Sequence, residues 1–206
     1  MVWRREVHLS GSDPRYDQIM GCYGNPEARI IFVAEIPEVI GIDKIIANLR
    51  DNGSAEELWT KNWNSSEGDK LFRKALATNC FIPEGADDRP WEWNCWVTNF
   101  VKCPCQTHFW RYEVKKSRRE GILRKSAKFF NEEVGLISPK MVVTMGEDVK
   151  SYLKTYASEL GNLPKDQPWV YHYAHKYDQK SKRKYRQRFH KVAEEYWNLI
   201  RNEGAR

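Results

Sequence analysis

Nowhere does the chain hold a run of about 18 apolar residues, which excludes a membrane-spanning helix. Cysteines are few: Cys22, Cys80, Cys95, Cys103 and Cys105 are odd in number and irregular in spacing. That pattern excludes the disulfide framework of a small secreted domain, so reduced thiols are expected. Cys103-Pro104-Cys105 is too tight for the two-residue spacer of structural zinc sites, and no matching His/Cys pair completes one, so no metal is expected. Internal repeats, low-complexity tracts and linkers are also missing, which points to a single domain over residues 1–206. Met1 to Glu6 turns polar at once, without the apolar stretch of a secretory signal. A cytoplasmic monomer with no membrane partner is expected.

What remains has the balance of a globular protein, with 41% hydrophobic and 30% charged residues. Net charge is +6, and the excess is concentrated. Lys176, Lys180, Lys182, Arg183, Lys184, Arg186 and Arg188 face a lone acid, Asp178, within one stretch. Arg111, Lys115, Lys116, Arg118 and Arg119 form a second. Both are interleaved with aromatics: Trp110, Tyr112, Tyr177 and Tyr185. Basic side chains neutralise phosphates and aromatic faces stack on bases, so this composition suits a nucleic-acid partner. A solvated helix face is the competing reading.

Short apolar runs at 29–34, 96–101, 141–145 and 169–174 are bounded by Pro or Gly, as strands buried on both faces are. Helical spacing links Leu123, Ala127, Phe130, Val134 and Ile137; then Val149, Leu153, Tyr156 and Leu160; then Tyr185, Phe189, Val192, Tyr196 and Leu199. A further helix is predicted over Lys70 to Ala77. Alternating strands and helices predict a three-layer α/β/α sandwich around a central four-stranded parallel sheet. Ligands of such sheets bind beyond the carboxyl ends of the strands. Glu35 and Asn99 stand at two of those ends. Glu35-Ile36-Pro37-Glu38 has no glycine fingerprint and no P-loop occurs, so dinucleotides and nucleoside triphosphates are poor candidates.

Four segments carry a resemblance. Tyr23-Gly24-Asn25-Pro26-Glu27-Ala28-Arg29-Ile30-Ile31-Phe32-Val33-Ala34-Glu35-Ile36-Pro37 resembles the first motif of the uracil-DNA glycosylase superfamily, above all its iron–sulfur branch. Trp96-Val97-Thr98-Asn99-Phe100-Val101-Lys102-Cys103 is similar to that branch's asparagine-valine-valine-lysine-cysteine segment. Ser138-Pro139-Lys140 and the strand ending at Gly146 look like its proline-lysine-strand-glycine element, and His175 falls where the family has histidine-proline-serine. The chain departs from the pattern at Ala34, Glu38 and Lys176-Tyr177. Of the branch's four cluster cysteines only Cys103 is matched; Cys22 is out of place and Ser126 stands where the fourth belongs. A cluster needs four thiolates, so no cofactor is expected.

The resemblance implies a monofunctional DNA glycosylase that flips uracil or another deaminated base and hydrolyses its N-glycosidic bond, as in base excision repair. Asn99 would read the base, its amide matching a carbonyl oxygen and a ring N–H together. Trp63, five residues before Gly68, would be the stacking platform. Glu35 would orient water or stabilise the cationic sugar, with Glu38 as the alternative carboxylate. His175, or His172 if the match slips by three, would support the leaving base. Lys180, Lys182, Arg183, Lys184 and Arg186 would grip phosphates. The resemblance places Glu35 and Asn99 facing one pocket. A catalytically inactive nucleic-acid-binding protein that keeps the fold is the alternative, and a hydrolase of free nucleosides a third.

Overall fold

The computed structural model describes residues 23–35, 67–87, 89–101, 109–172 and 179–204. Its centre is a strand of alternating apolar side chains. In β2 (Ile30–Ala34) all five residues are buried, because the two sides of the strand face different helices. Around it lie β1 (Tyr23–Gly24), β3 (Trp96–Asn99), β4 (Met141–Met145) and β5 (Trp169–Val170), in the order β1-β3-β2-β4-β5. The pairs of β2 with β3, β2 with β4 and β4 with β5 are parallel, as the sequence implies. The two-residue β1 pairs antiparallel with β3 and carries no apolar run to announce it. Its Gly24 has φ +114, and a Cβ there would collide with the Cys95 carbonyl oxygen, so only glycine fits.

The helices are α1 (Glu67–Thr78), α2 (Lys116–Ile137), α3 (Glu147–Thr155) and α4 (Gln179–Gly204). On one face of the sheet, Ile30, Phe32, Ala34 and Val143 pack with Phe72 and Leu76 of α1 and Phe189 and Val192 of α4. The ring of Phe32 is enclosed by Phe72, Phe81 and Phe189, with centroids 5.9, 5.1 and 5.3 Å away. On the other face, Ile31, Val33 and Val142 meet Leu123, Phe130 and Val134 of α2 and Val149 and Leu153 of α3. Three layers result, an α/β/α sandwich. Among the described residues no helix is long and apolar enough to cross a membrane.

The connectivity positions the site. From β2 the chain crosses through α1 to β3; through α2 it then returns to β4 on the other side of β2. Segments leaving β2 and β4 therefore pass to opposite faces and open a crevice at the carboxyl ends of these strands. α2, α3 and α4 each follow a strand, so their N-termini lie at that same end.

Burial also sets an alkaline limit on the fold. Tyr196 of α4 packs against Phe81 and Trp197, and burial pushes its phenol from the ordinary 10.0 up to about 12, opposed by Arg29 and reinforced by Cys95. A raised folded-state pKa contributes stability that is complete below the unfolded value and is lost as pH climbs through the folded one. Urea unfolding followed from pH 9 upward is expected to show stability falling between about 10 and about 12, less steeply in Tyr196→Phe.

Candidate active site

Side chains alternate across β2, so Glu35, directly after it, continues the row of Ile31 and Val33 toward α2 and α3. Its backbone is fixed by an extension of the ladder beyond β3: the Phe100 N–H donates to the Ala34 carbonyl at 2.8 Å and the Val101 N–H to the Glu35 carbonyl at 2.9 Å. The residue is only 6% exposed. A carboxylate so buried is costly unless donors surround it, and three do. The indole Nε1 of Trp110 donates to Oε1 at 3.1 Å and the phenol of Tyr152 to the same oxygen at 2.8 Å. The Nη2 of Arg111 donates to Oε2 at 3.1 Å and to Asp148 Oδ2 at 2.9 Å.

Two elements supply these donors and Asp148. Trp110 and Arg111 lie in a π-helical turn, Phe109–Glu113, ahead of α2; Asp148 and Tyr152 belong to α3. The wider π turn, a form frequent at functional sites, turns two consecutive residues toward one carboxylate. Trp110 is 2% exposed, while the Arg111 side chain is 40% exposed at the rim. Burial opposes the Arg111 charge, but the hydrogen bond to Glu35 and the attraction of Glu35 and Asp148 outweigh it and raise its pKa. For Tyr152 burial comes first and Glu35 second; both hold the phenol protonated well above its ordinary range, as a donor should be. Its ring rests against Phe100, centroids 5.6 Å apart.

Asn99 ends β3 in register with Ala34 and is half-buried. It shares the parity of Val97, whose side chain joins the α1/α4 core, so Asn99 leaves the sheet toward that face and Glu35 toward the other. They do not share one side of the sheet. Both stand at the carboxyl ends of adjacent strands, where a ligand lying across those ends would meet one from each side.

Trp63, Glu38 and His175 lie outside the described residues. His172 is described: it follows β5, half-buried, and its Cβ stands 3.3 Å from where a Cβ on Gly146 would be. That approach, together with φ +98, explains the glycine at the end of β4.

Of the basic residues expected to grip phosphates, Lys180 falls in the first turn of α4, Lys182 is half-buried, and Arg183, Lys184 and Arg186 are the remaining members of that stretch. No acid offsets them in the first turn of α4, although positive charge opposes the helix dipole there. Arg188 stacks on the ring of Trp169, 3.7 Å from its centroid, and its Nε donates to the Trp169 carbonyl at 2.6 Å. Lys150 also lies 5.3 Å from that ring.

Compared with known proteins, the chain matches no family model and no curated protein.

Two members of the second basic–aromatic run turn out to serve Glu35: Trp110 from the interior and Arg111 from the rim. Tyr185, from the first run, is fully buried in the core. The donors around Glu35 were beyond sequence reasoning, since they stand 75, 76 and 117 residues away along the chain. Among the described residues no group of His, Cys, Asp and Glu is arranged to hold a metal ion. Cys22, Cys103 and Cys105 fall outside them. Cys95 is buried, and burial alone pushes its thiol far up, so it behaves as an apolar core residue.

Proposed function

We propose that this protein is a DNA glycosylase that excises uracil or another deaminated base by hydrolysing the N-glycosidic bond. The observation that carries it is the placement of Glu35: a buried carboxylate held by three donors at the crevice where strand connections diverge. Three of the four segments that resemble glycosylase motifs contain β2, β3 and β4, while His175 of the fourth lies outside the described residues. Bond cleavage separates a cationic sugar from an anionic base, and a carboxylate that needs no reorientation stabilises the cation as it forms. Trp110, Tyr152 and Arg111 are positioning residues for it. Two of the three occupy Oε1, so Oε2, shared only with Arg111 among the described residues, is the oxygen that would meet sugar or water. Asn99, from the opposite side, would pair with the base edge, and the α4 cations with flanking phosphates.

The test is incubation with a uracil-containing duplex followed by alkali, which breaks the strand at an abasic site. Cleavage is expected with the wild-type chain and should fall on the order of 100-fold or more in Asn99→Ala, because a site built to bond a polar base edge loses its discrimination with the bonding group. Salt-sensitive binding without cleavage on uracil, hypoxanthine and xanthine duplexes would instead favour an inactive nucleic-acid-binding protein. The departures at Ala34, Glu38 and Lys176-Tyr177 support that second possibility.

A further inference from the structure

α2 begins, like α4, with positive charge. Between Arg111 and Arg119 stand five basic residues and one acid, Glu113, and the first turn of α2 contains no acid. Lys115, Lys116 and Arg118 are exposed, and Lys116 meets Glu120 only at 4.0 Å. α2 packs on the face of the sheet opposite α4, yet both start at the carboxyl end. The two basic helix starts therefore straddle the crevice that holds Glu35.

Between the crevice and the start of α2 lies Tyr112, which is 75% exposed. Its neighbours are anchored inward, Trp110 and Arg111 to Glu35 and Arg111 also to Asp148. An aromatic ring displayed on so fixed a turn loses little freedom when it binds, which is the property of an anchor residue.

We infer that Tyr112 stacks on a DNA base next to the one drawn into the crevice, while Lys115, Lys116 and Arg118 hold the adjoining phosphates. DNA would then be clamped from both faces of the sheet, by α2 and by α4. This rests on the glycosylase proposal for the partner but not on catalysis.

The experiment measures binding of the full chain to a fluorescein-labelled duplex with one uracil across a salt series. A parallel duplex carries 2-aminopurine beside the uracil as a stacking reporter. Tyr112→Ala is expected to weaken binding on the order of tenfold and to alter the 2-aminopurine signal, whereas Tyr112→Phe stays within about twofold. Lys115→Ala/Lys116→Ala/Arg118→Ala should flatten the logarithmic salt dependence by about two to three units, nearly one for each phosphate no longer neutralised. All four positions are exposed, so unchanged thermal unfolding verifies the fold. Unchanged affinity in Tyr112→Ala, or an unchanged slope in the triple variant, overturns the inference. If Lys182→Ala/Arg183→Ala/Lys184→Ala flattens the slope in the same experiment, the DNA partner stands and only the α2 side of the clamp falls. Wild-type protein that binds no duplex at any salt overturns both.

Discussion

Glu35→Ala is expected to abolish base release and to weaken the fold together. Removing the carboxylate leaves the buried indole N–H of Trp110 and the phenol O–H of Tyr152 without their acceptor and takes one of two carboxylates from Arg111. Each buried donor so orphaned costs about 1–3 kcal/mol, and breaking a buried charge pair about 3–5 kcal/mol. Because Arg111 is partly exposed and keeps Asp148, a total of about 3 kcal/mol is the sensible expectation. In a chain of this size that lowers the melting temperature by roughly 10 °C. Glu35→Gln separates the two effects. Its amide oxygen can still accept from Trp110 and Tyr152, while its NH2 group turns against Arg111, so the fold should lose only about 1–2 kcal/mol. Base release at a temperature where this variant is fully folded should still drop on the order of 100- to 1,000-fold, the usual consequence of losing one group that stabilises developing charge. Full activity in Glu35→Gln would remove Glu35 from the chemistry and leave it a strut.

The second large effect is on stability alone. Phe32→Ala empties the centre of a cluster in which Phe72, Phe81 and Phe189 surround one ring. Three separate elements meet there, so collapse around the cavity is hindered, and the cost should lie toward the upper part of the usual range of about 3–5 kcal/mol for such a truncation. Leu136→Ala, at an exposed position of α2, serves as the control and should stay within about 0.5 kcal/mol. Urea denaturation of both variants beside wild type measures the difference. A small loss in Phe32→Ala would mean that the two helices of that face are not held through β2.

The layers were legible because strands buried on both faces must be apolar at nearly every position, and 30–34 and 141–145 are. Where that rule relaxes, boundaries drift. Among the described residues β5 has two ladder residues, whereas the apolar run suggests six, of which 173 and 174 lie outside the described residues. The start of α2 was hidden as well, since its first turns are polar and exposed and carry charge of the wrong sign for a helix N-terminus. Glu35 could be found because it interrupts an apolar run at a predictable end. Its partners could not: Tyr152 stands beside the apolar stripe of α3, and nothing local says that its hydroxyl reaches a carboxylate far back in the chain. The same composition that marks Trp110 through Arg119 as one surface run conceals a division of labour: Trp110 and Arg111 hold Glu35, whereas Tyr112, Lys115, Lys116 and Arg118 are exposed.

The central position of β2 has a consequence in time. Ile31 pairs with Trp96 and Ile30 with Met141, whereas Thr144 pairs with the nearby Trp169. Closing the long loops around β2 carries a larger entropic penalty than joining β4 to β5, so the late half of the chain is the cheaper nucleus. A growing chain therefore cannot give Glu35 all three of its donors until synthesis has passed Tyr152.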